Sequence, residues 1–348
     1  MIRTLISSGF KVVVITEFDG YEKKISNEVS DLYPLYISRK GINPLSDIVT
    51  FIDLLKKITI IKADYLFLFT IKPVIYGSIV ARIMRLPNIV TITGLGTSFI
   101  SESWITKIVK LLYKFALQKA SVIFFQNQDD KNLFEENNLV ISKVCKLVPG
   151  SGIDLKKFEF SKPRDEANMT FLLIARMIKD KGIVEFVDAA RYIKKLYPKT
   201  NFHLLGPLDV INRTAISRSE INQWVEEGTV EYLGDTDNVK EFIRDSSCIV
   251  LPSYREGTSK VLLEAASIGR PIVTSNVAGC KEIVDDGING FLCKSQDSID
   301  LGKKIHQMLL LPYETRVKMG ILGRKKMESE FNQKIVLDNY KQALLNLI

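Results

Sequence analysis

The chain has 348 residues and a mass of 39.4 kDa; 46% of its residues are hydrophobic and 25% are charged. That balance excludes a disordered chain, a collagen and a disulfide-stapled miniprotein, and the length favours two domains, each with its own core. The net charge of +8 is uneven: residues 1–150 hold 19 basic and 13 acidic side chains, residues 151–348 hold 29 and 27.

A basic first half suggests an anionic partner there, whether phosphate groups, nucleic acid or a membrane surface. No apolar run reaches the roughly 18 residues of a membrane span. The first ten residues hold too short an apolar stretch for a signal peptide. Cys145, Cys248, Cys280 and Cys293 are scattered without a C-x-x-C pair, and there are two histidines. A zinc site is therefore not expected, and reduced, buried thiols point to the cytoplasm.

Taken in chain order, residues 2–9 read as the end of a helix and 11–16 as a strand. Further strands are expected at 65–69, 89–93, 122–126 and 144–148, then at 170–175, 202–205, 230–233, 248–251, 271–274 and 290–293. Most are continuous apolar runs, the pattern of strands buried on both faces of a parallel sheet. Helical periodicity fills the gaps, at 183–195, 239–245 and 259–268 for example, and 312–348 reads as helices rich in Lys, Glu and Leu. The class is α/β, doubly wound, and it occurs twice.

The turn cluster Pro149-Gly150-Ser151-Gly152 and the polar stretch 160–168 mark the boundary. This gives one Rossmann-like domain over 1–150 and a second over 151–348, the last helix expected to pack back towards the first. Two such domains place a ligand in the cleft between them, at the carboxyl ends of the strands. A doubly wound sheet has its first strand at the centre. With 2–9 a helix and 11–16 a second strand, the expectation is a chain that starts late, short of a strand and loop of roughly 10–20 residues.

Two strand-to-helix turns are suited to chemistry. In the first, a strand ending at Leu251 leads through Glu256, Gly257, Thr258 and Ser259 into an apolar helix that includes Glu264. The start of such a helix, with its backbone N–H groups and positive dipole end, suits a phosphate, and Gly257 allows close approach. Glu264 flanks Leu263 and Ala265, where an unpaired carboxylate is costly; it is either a ligand-facing group or a charge satisfied by a neighbour. The second turn holds Arg176, Lys179 and Lys181 at the end of the strand 170–175. Cations there suit a diphosphate, or they are solvated loop charges.

These residues resemble the retaining glycosyltransferases of family 4, which have the two-Rossmann-domain GT-B architecture. Glu256 and Glu264, seven residues apart, match that family's E-x7-E signature, and Arg176 and Lys181 match its basic pair. Val148 to Asp154 with Phe158 matches its interdomain strand and turn, and Asp285 to Leu292 its late motif. Within the family, residues 72–77, Thr93-Gly94-Leu95-Gly96, residues 126–130 and Tyr254-Arg255-Glu256-Gly257 are similar to the branch that builds capsule, O-antigen and protein-glycan repeat units.

The resemblance implies transfer of a sugar, an N-acetylhexosamine from a UDP donor, onto a polyprenyl-diphosphate-linked saccharide. Glu264 would accept hydrogen bonds from ribose hydroxyls, with Gly257, Thr258 and Ser259 also on the donor. Arg176 and Lys181 would stabilise the leaving diphosphate. Glu256 would hold the donor sugar or stabilise an oxocarbenium-like transition state. Neither a metal nor another cofactor is expected. Many relatives have a His-x-Gly turn where this chain has Thr93, Gly94 and Gly96, so no imidazole is offered there. His203 is expected in a core strand and His306 exposed on a helix.

Residues 104–115 give the basic half its partner. Lys107, Lys110 and Lys114 recur at helical spacing among Trp104, Ile108, Leu111, Leu112 and Phe115. This is either an interfacial anchor on the cytoplasmic face of the inner membrane or a domain helix with its apolar side in the core. Nucleic acid is not expected, since no aromatic-studded strand platform is evident. Two rival readings stay open: another GT-B sugar enzyme, such as a UDP-N-acetylglucosamine 2-epimerase, and a non-catalytic sugar-binding protein.

Overall fold

The computed structural model describes residues 1–18, 20, 22–37, 44–95, 104–166 and 168–348. The chain divides into two compact units, Met1–Val148 with Val336–Ile348, and Pro149–Ile335.

The first unit runs α1 (Ile2–Ser7), β1 (Val13–Thr16), α2 (Glu22–Ile25), β2 (Asp31–Pro34), α3 (Pro44–Ile61), β3 (Leu66–Phe69), α4 (Ile71–Met84), β4 (Asn88–Ile92), α5 (Trp104–Leu117), β5 (Val122–Phe125), α6 (Gln128–Glu136) and β6 (Cys145–Leu147). β3, β4, β5 and β6 form one parallel sheet in that order, and β1 pairs with β2, also parallel, in another. Among the described residues no strand joins β1 to β3. β2 has no counterpart among the strands expected from sequence. Its Asp-Leu-Tyr-Pro is exposed at both ends and lacks an apolar run.

Alternate strand residues feed two cores. Leu66, Leu68, Val90, Ile92, Ile123 and Phe125 meet side chains of α3, α4, α5 and α6 on one face. Ile89, Val122 and Phe124 face the other way, towards Leu5 of α1 and the C-terminal segment.

The second unit runs β7 (Thr170–Ile174), α7 (Ile183–Leu196), β8 (Asn201–Leu205), α8 (Arg218–Glu226), β9 (Glu231–Tyr232), α9 (Val239–Asp245), β10 (Cys248–Leu251), α10 (Lys260–Ile268), β11 (Ile272–Ser275), β12 (Gly290–Cys293), α11 (Ser298–Leu310) and α12 (Tyr313–Ser329). Its six strands make one parallel sheet in the order β12-β11-β10-β7-β8-β9. Strand order reverses between β7 and β10, so the turns that leave these two strands lie side by side at the carboxyl edge. α13 (Gln333–Leu345) follows, and from Val336 it belongs to the first unit. There Tyr340 is buried, its ring edge-on to Phe124 and its hydroxyl 2.8 Å from Thr91 Oγ1.

The histidines differ from expectation. His203 is only half-buried on β8, its Nε2 3.3 Å from Glu231 Oε2 on β9, the two-residue strand at the edge of the sheet. His306 is half-buried rather than exposed, its Nε2 3.0 Å from the Tyr197 hydroxyl. Of the four free cysteines, Cys145 is half-buried and the other three are buried.

Candidate active site

The turn after β7 and the turn after β10 are locked together. Gly182 has φ +72°, and a Cβ there would lie 2.2 Å from the Pro252 carbonyl oxygen. No side chain fits, and the backbones close up. Tyr254 N–H then donates to the Asp180 carbonyl at 2.9 Å, and Ser253 Oγ lies 3.2 Å from the same oxygen. The Tyr254 hydroxyl reaches back to Glu185 Oε1 on α7 at 2.7 Å.

This lock sets the charges. Lys181 Nζ donates to Glu256 Oε1 in a close ion pair, and Ser253 Oγ donates to the same oxygen at 2.8 Å. Both charged side chains are largely buried. A pair this dry is favourable only when its hydrogen bonds are made. Among the described residues no donor reaches Glu256 Oε2, which leaves that oxygen for a ligand. Arg176, at the carboxyl end of β7, is exposed and makes no ion pair among the described residues. The site thus sets a held cation beside an exposed one.

The second glutamate sits in α10. Ser259 caps that helix, its Oγ accepting from Leu262 N. Its own N–H donates to the Gly279 carbonyl at 2.9 Å. That amide is therefore used within the turn, and the helix start presents the amides that follow. Gly150 fits beneath Thr258, where a Cβ would lie 2.7 Å from the threonine Cβ, so the interdomain turn motif supports the Gly257–Thr258 bend. Glu264 is 4% exposed, and its nearest cation is Lys260 Nζ at 3.8 Å. Burial raises the pKa of its carboxyl, opposed by Lys260 and Lys157. Lys260, itself mostly exposed, and Lys157 thus offset part of the cost of this buried carboxylate.

In the first unit, Thr93 and Gly94 follow β4 at its carboxyl end; Gly96 lies outside the described residues. Other motif residues prove structural. Lys72 Nζ is 2.8 Å from Asp47 Oδ1, and Tyr76 also hydrogen-bonds Asp47, tying α4 to α3. Asn127 caps α6, accepting from Asp130 N at 2.7 Å. In the late motif, Asn289 Oδ1 accepts from Asp285 N and Asp286 Oδ1 from Leu292 N, which shapes the turn into β12.

α5 settles where its apolar side chains go. Its core face is Thr106, Val109, Tyr113, Ala116 and Leu117, all buried. Trp104, Ile108, Leu111 and Phe115 lie on the opposite side and are exposed, Trp104 by 69% and Leu111 by 67%. Of the five apolar residues named from sequence, only Leu112 packs against the core. Lys107 and Lys114 are exposed beside the stripe, and Lys110 donates to Asn137 at 3.1 Å. No helix of the described residues is long and apolar enough to cross a membrane. Among the described residues, no group of three or more His, Cys, Asp or Glu is placed to hold a metal.

Residues 154–326 match the family described as glycosyl transferases group 1, and residues 1–127 match glycosyl transferase 4-like. This chain belongs to the glycosyltransferases. The enzyme is 26% identical to the N,N'-diacetylbacillosaminyl-diphospho-undecaprenol alpha-1,3-N-acetylgalactosaminyltransferase of Campylobacter jejuni, over 98% of this chain and 92% of that one. It is 27% identical to the UDP-Gal:alpha-D-GlcNAc-diphosphoundecaprenol alpha-1,3-galactosyltransferase of Escherichia coli, over 74% and 69%. Among solved structures it is similar to Anabaena HepE in complex with UDP-glucose, with a TM-score of 0.82 at 17% identity over 99% of this chain and 94% of that one. That likeness shows the fold, GT-B with two Rossmann-like domains. The glycosyltransferase match sets aside the epimerase and the non-catalytic readings.

Proposed function

We propose that this glycosyltransferase moves a hexose, an N-acetylhexosamine from a UDP donor, onto a polyprenyl-diphosphate-linked saccharide during synthesis of a surface polysaccharide such as O-antigen or capsule. The reaction proceeds with retention, without a metal, on the cytoplasmic face of the membrane. The observation that carries this is the Lys181–Glu256 pair beside Arg176 at the switch point of the second unit. The names of the Campylobacter and Escherichia relatives support the acceptor class.

The chemistry follows from charge. Cleaving the donor's glycosidic bond leaves negative charge on the diphosphate. Arg176 and Lys181 offset it, with the α10 start assisting, and aimed charge of this kind is the largest catalytic contribution a site can make. Glu256 holds Lys181 with one oxygen and offers the other to a donor-sugar hydroxyl. Glu264, as the carboxylate, accepts from the ribose hydroxyls. The acceptor hydroxyl attacks on the face the diphosphate leaves and passes its proton to the departing phosphate oxygen, which gives retention with no covalent enzyme intermediate. The acceptor's lipid brings the reaction to a bilayer, and the exposed stripe and lysines of α5 suit that surface.

A donor screen tests the proposal: the full chain, a panel of nucleotide sugars, and polyprenyl-diphosphate-linked sugar acceptors, with EDTA present. The expected product has the donor's anomeric configuration and forms from a UDP-sugar. Strict metal dependence, inversion, or acceptance only of lipid-free sugars would contradict it.

A further inference from the structure

α3 has an outward apolar stripe of its own. Leu45, Ile48, Val49 and Ile52 recur at helical spacing, so they share one side of its first turns. All four are exposed, Leu45 by 76%. The opposite side of α3, with Thr50, Leu54 and Ile58, is buried. α3, α4 and α5 cover the same face of the β3–β6 sheet, since side chains from all three meet Leu66, Leu68, Val90 and Ile92. The two stripes therefore point away from the sheet in one direction.

They also share one end. α3 ends just before β3 begins, α4 starts where β3 ends, and α5 ends just before β5. Each helix thus starts at the carboxyl edge of the strands, the edge that holds Thr93 and Gly94. α4 packs between the other two. The Lys72–Asp47 pair pins its start to α3, and Arg82 lies over the Phe115 ring of α5 at 5.1 Å. With neighbouring helices about 8–10 Å apart, the stripes are roughly 16–20 Å apart.

Charge separates the candidate occupants. The three helices hold seven basic and two acidic side chains, and both acids, Asp47 and Asp53, are paired with lysines. Most of the first unit's positive excess is therefore on this layer. Exposed apolar side chains on a layer with a net positive charge fit an anionic lipid surface; a second copy of the same face would bring like charges together. We propose that α3 and α5 form a two-stripe lipid-docking surface that lays this helix layer of the first unit on an anionic bilayer, with the helix starts and the strands' carboxyl edge sharing one side of the contact. This rests on the membrane-borne acceptor of the preceding section and adds α3 as the second contact.

The test uses the full chain without any sugar donor, so it stands apart from catalysis. Vesicles of phosphatidylglycerol with phosphatidylcholine, and of phosphatidylcholine alone, are floated with the wild type and with the double variant Ile48→Glu, Ile52→Glu. Anionic vesicles should carry the wild type and lose roughly tenfold or more of the variant. A second variant avoids dependence on that substitution: Val49→Trp with Trp104→Phe, its α3 tryptophan read against brominated lipid, the remaining Trp224 being buried. Quenching of the new tryptophan supports the surface. Equal flotation of wild type and double variant, no quenching, or a concentration-dependent dimer that the double variant abolishes would overturn it. A chain that transfers sugar but shows no quenching would keep the proposed function and lose this surface; one that docks through α3 but transfers nothing would do the reverse.

Discussion

The two units use charge in opposite ways. In the second, charged groups are drawn inward and held: Lys181 and Glu256 are nearly dry, Glu264 is buried, and Arg270, 1% exposed, donates to Ser161 and to the Arg244 carbonyl. In the first, Asp47 and Asp130 are buried, but exposed lysines such as Lys56, Lys107 and Lys114 lie on the surface, near apolar side chains that the core does not take. Continuity of the sheet follows the same division. The second unit has six paired strands, with β7 and β10 buried throughout; in the first, β1 is half-exposed at every position and pairs only with β2 among the described residues. A rigid sheet lets two turns hold a charge pair to within a hydrogen bond. The lipid surface proposed for the first unit would need only the right pattern of apolar side chains and charge.

The comparison can be broken at several points. The largest stability effect is expected where the first unit is best packed. Tyr340→Ala removes the ring set against Phe124 and the hydroxyl paired with Thr91, and should cost about 3–5 kcal/mol in chemical denaturation. A cost below 1 kcal/mol would mean that α13 contributes little to that core. In the second unit, Tyr254→Phe leaves Glu185 without its donor, where Glu185 Oε2 already lacks one. The expected loss is about 1–3 kcal/mol, accompanied by a lower kcat as the Glu256 turn loosens.

The pH dependence is finer. The carboxyl of Glu264 is raised by burial, so the neutral acid favours the folded, unliganded chain, and that contribution is lost as pH rises through the folded value. UDP binding through the carboxylate has the opposite sign. Titration calorimetry should show affinity falling on acidification from above the usual glutamate range, and Glu264→Gln should flatten the curve. Hydrogen exchange gives the smallest signal: amides of β1 and β2 should exchange before those of β7 and β10.

Much of this was legible in the sequence. Continuous apolar runs located the strands of the three sheets except β2, whose terminal proline and polar start hide it. Spacing singled out Glu256, Glu264, Arg176 and Lys181 as candidate groups, but not the lock beneath them. Nothing in the spacing marks Ser253, and the Tyr254–Glu185 bond joins residues 69 positions apart. Nor could periodicity decide α5. Its lysines and aliphatic residues satisfy a helical repeat whichever way the helix is turned, and only the buried face of Val109, Tyr113 and Ala116 shows which stripe is left outside.

The central claim is that Lys181, held in place by Glu256, acts on the departing diphosphate. Steady-state kinetics of Lys181→Met, with its thermal unfolding measured alongside, tests this most directly. A fall in kcat of roughly 10²–10³ with the melting temperature little changed is the predicted result; wild-type kcat in a folded variant would contradict it.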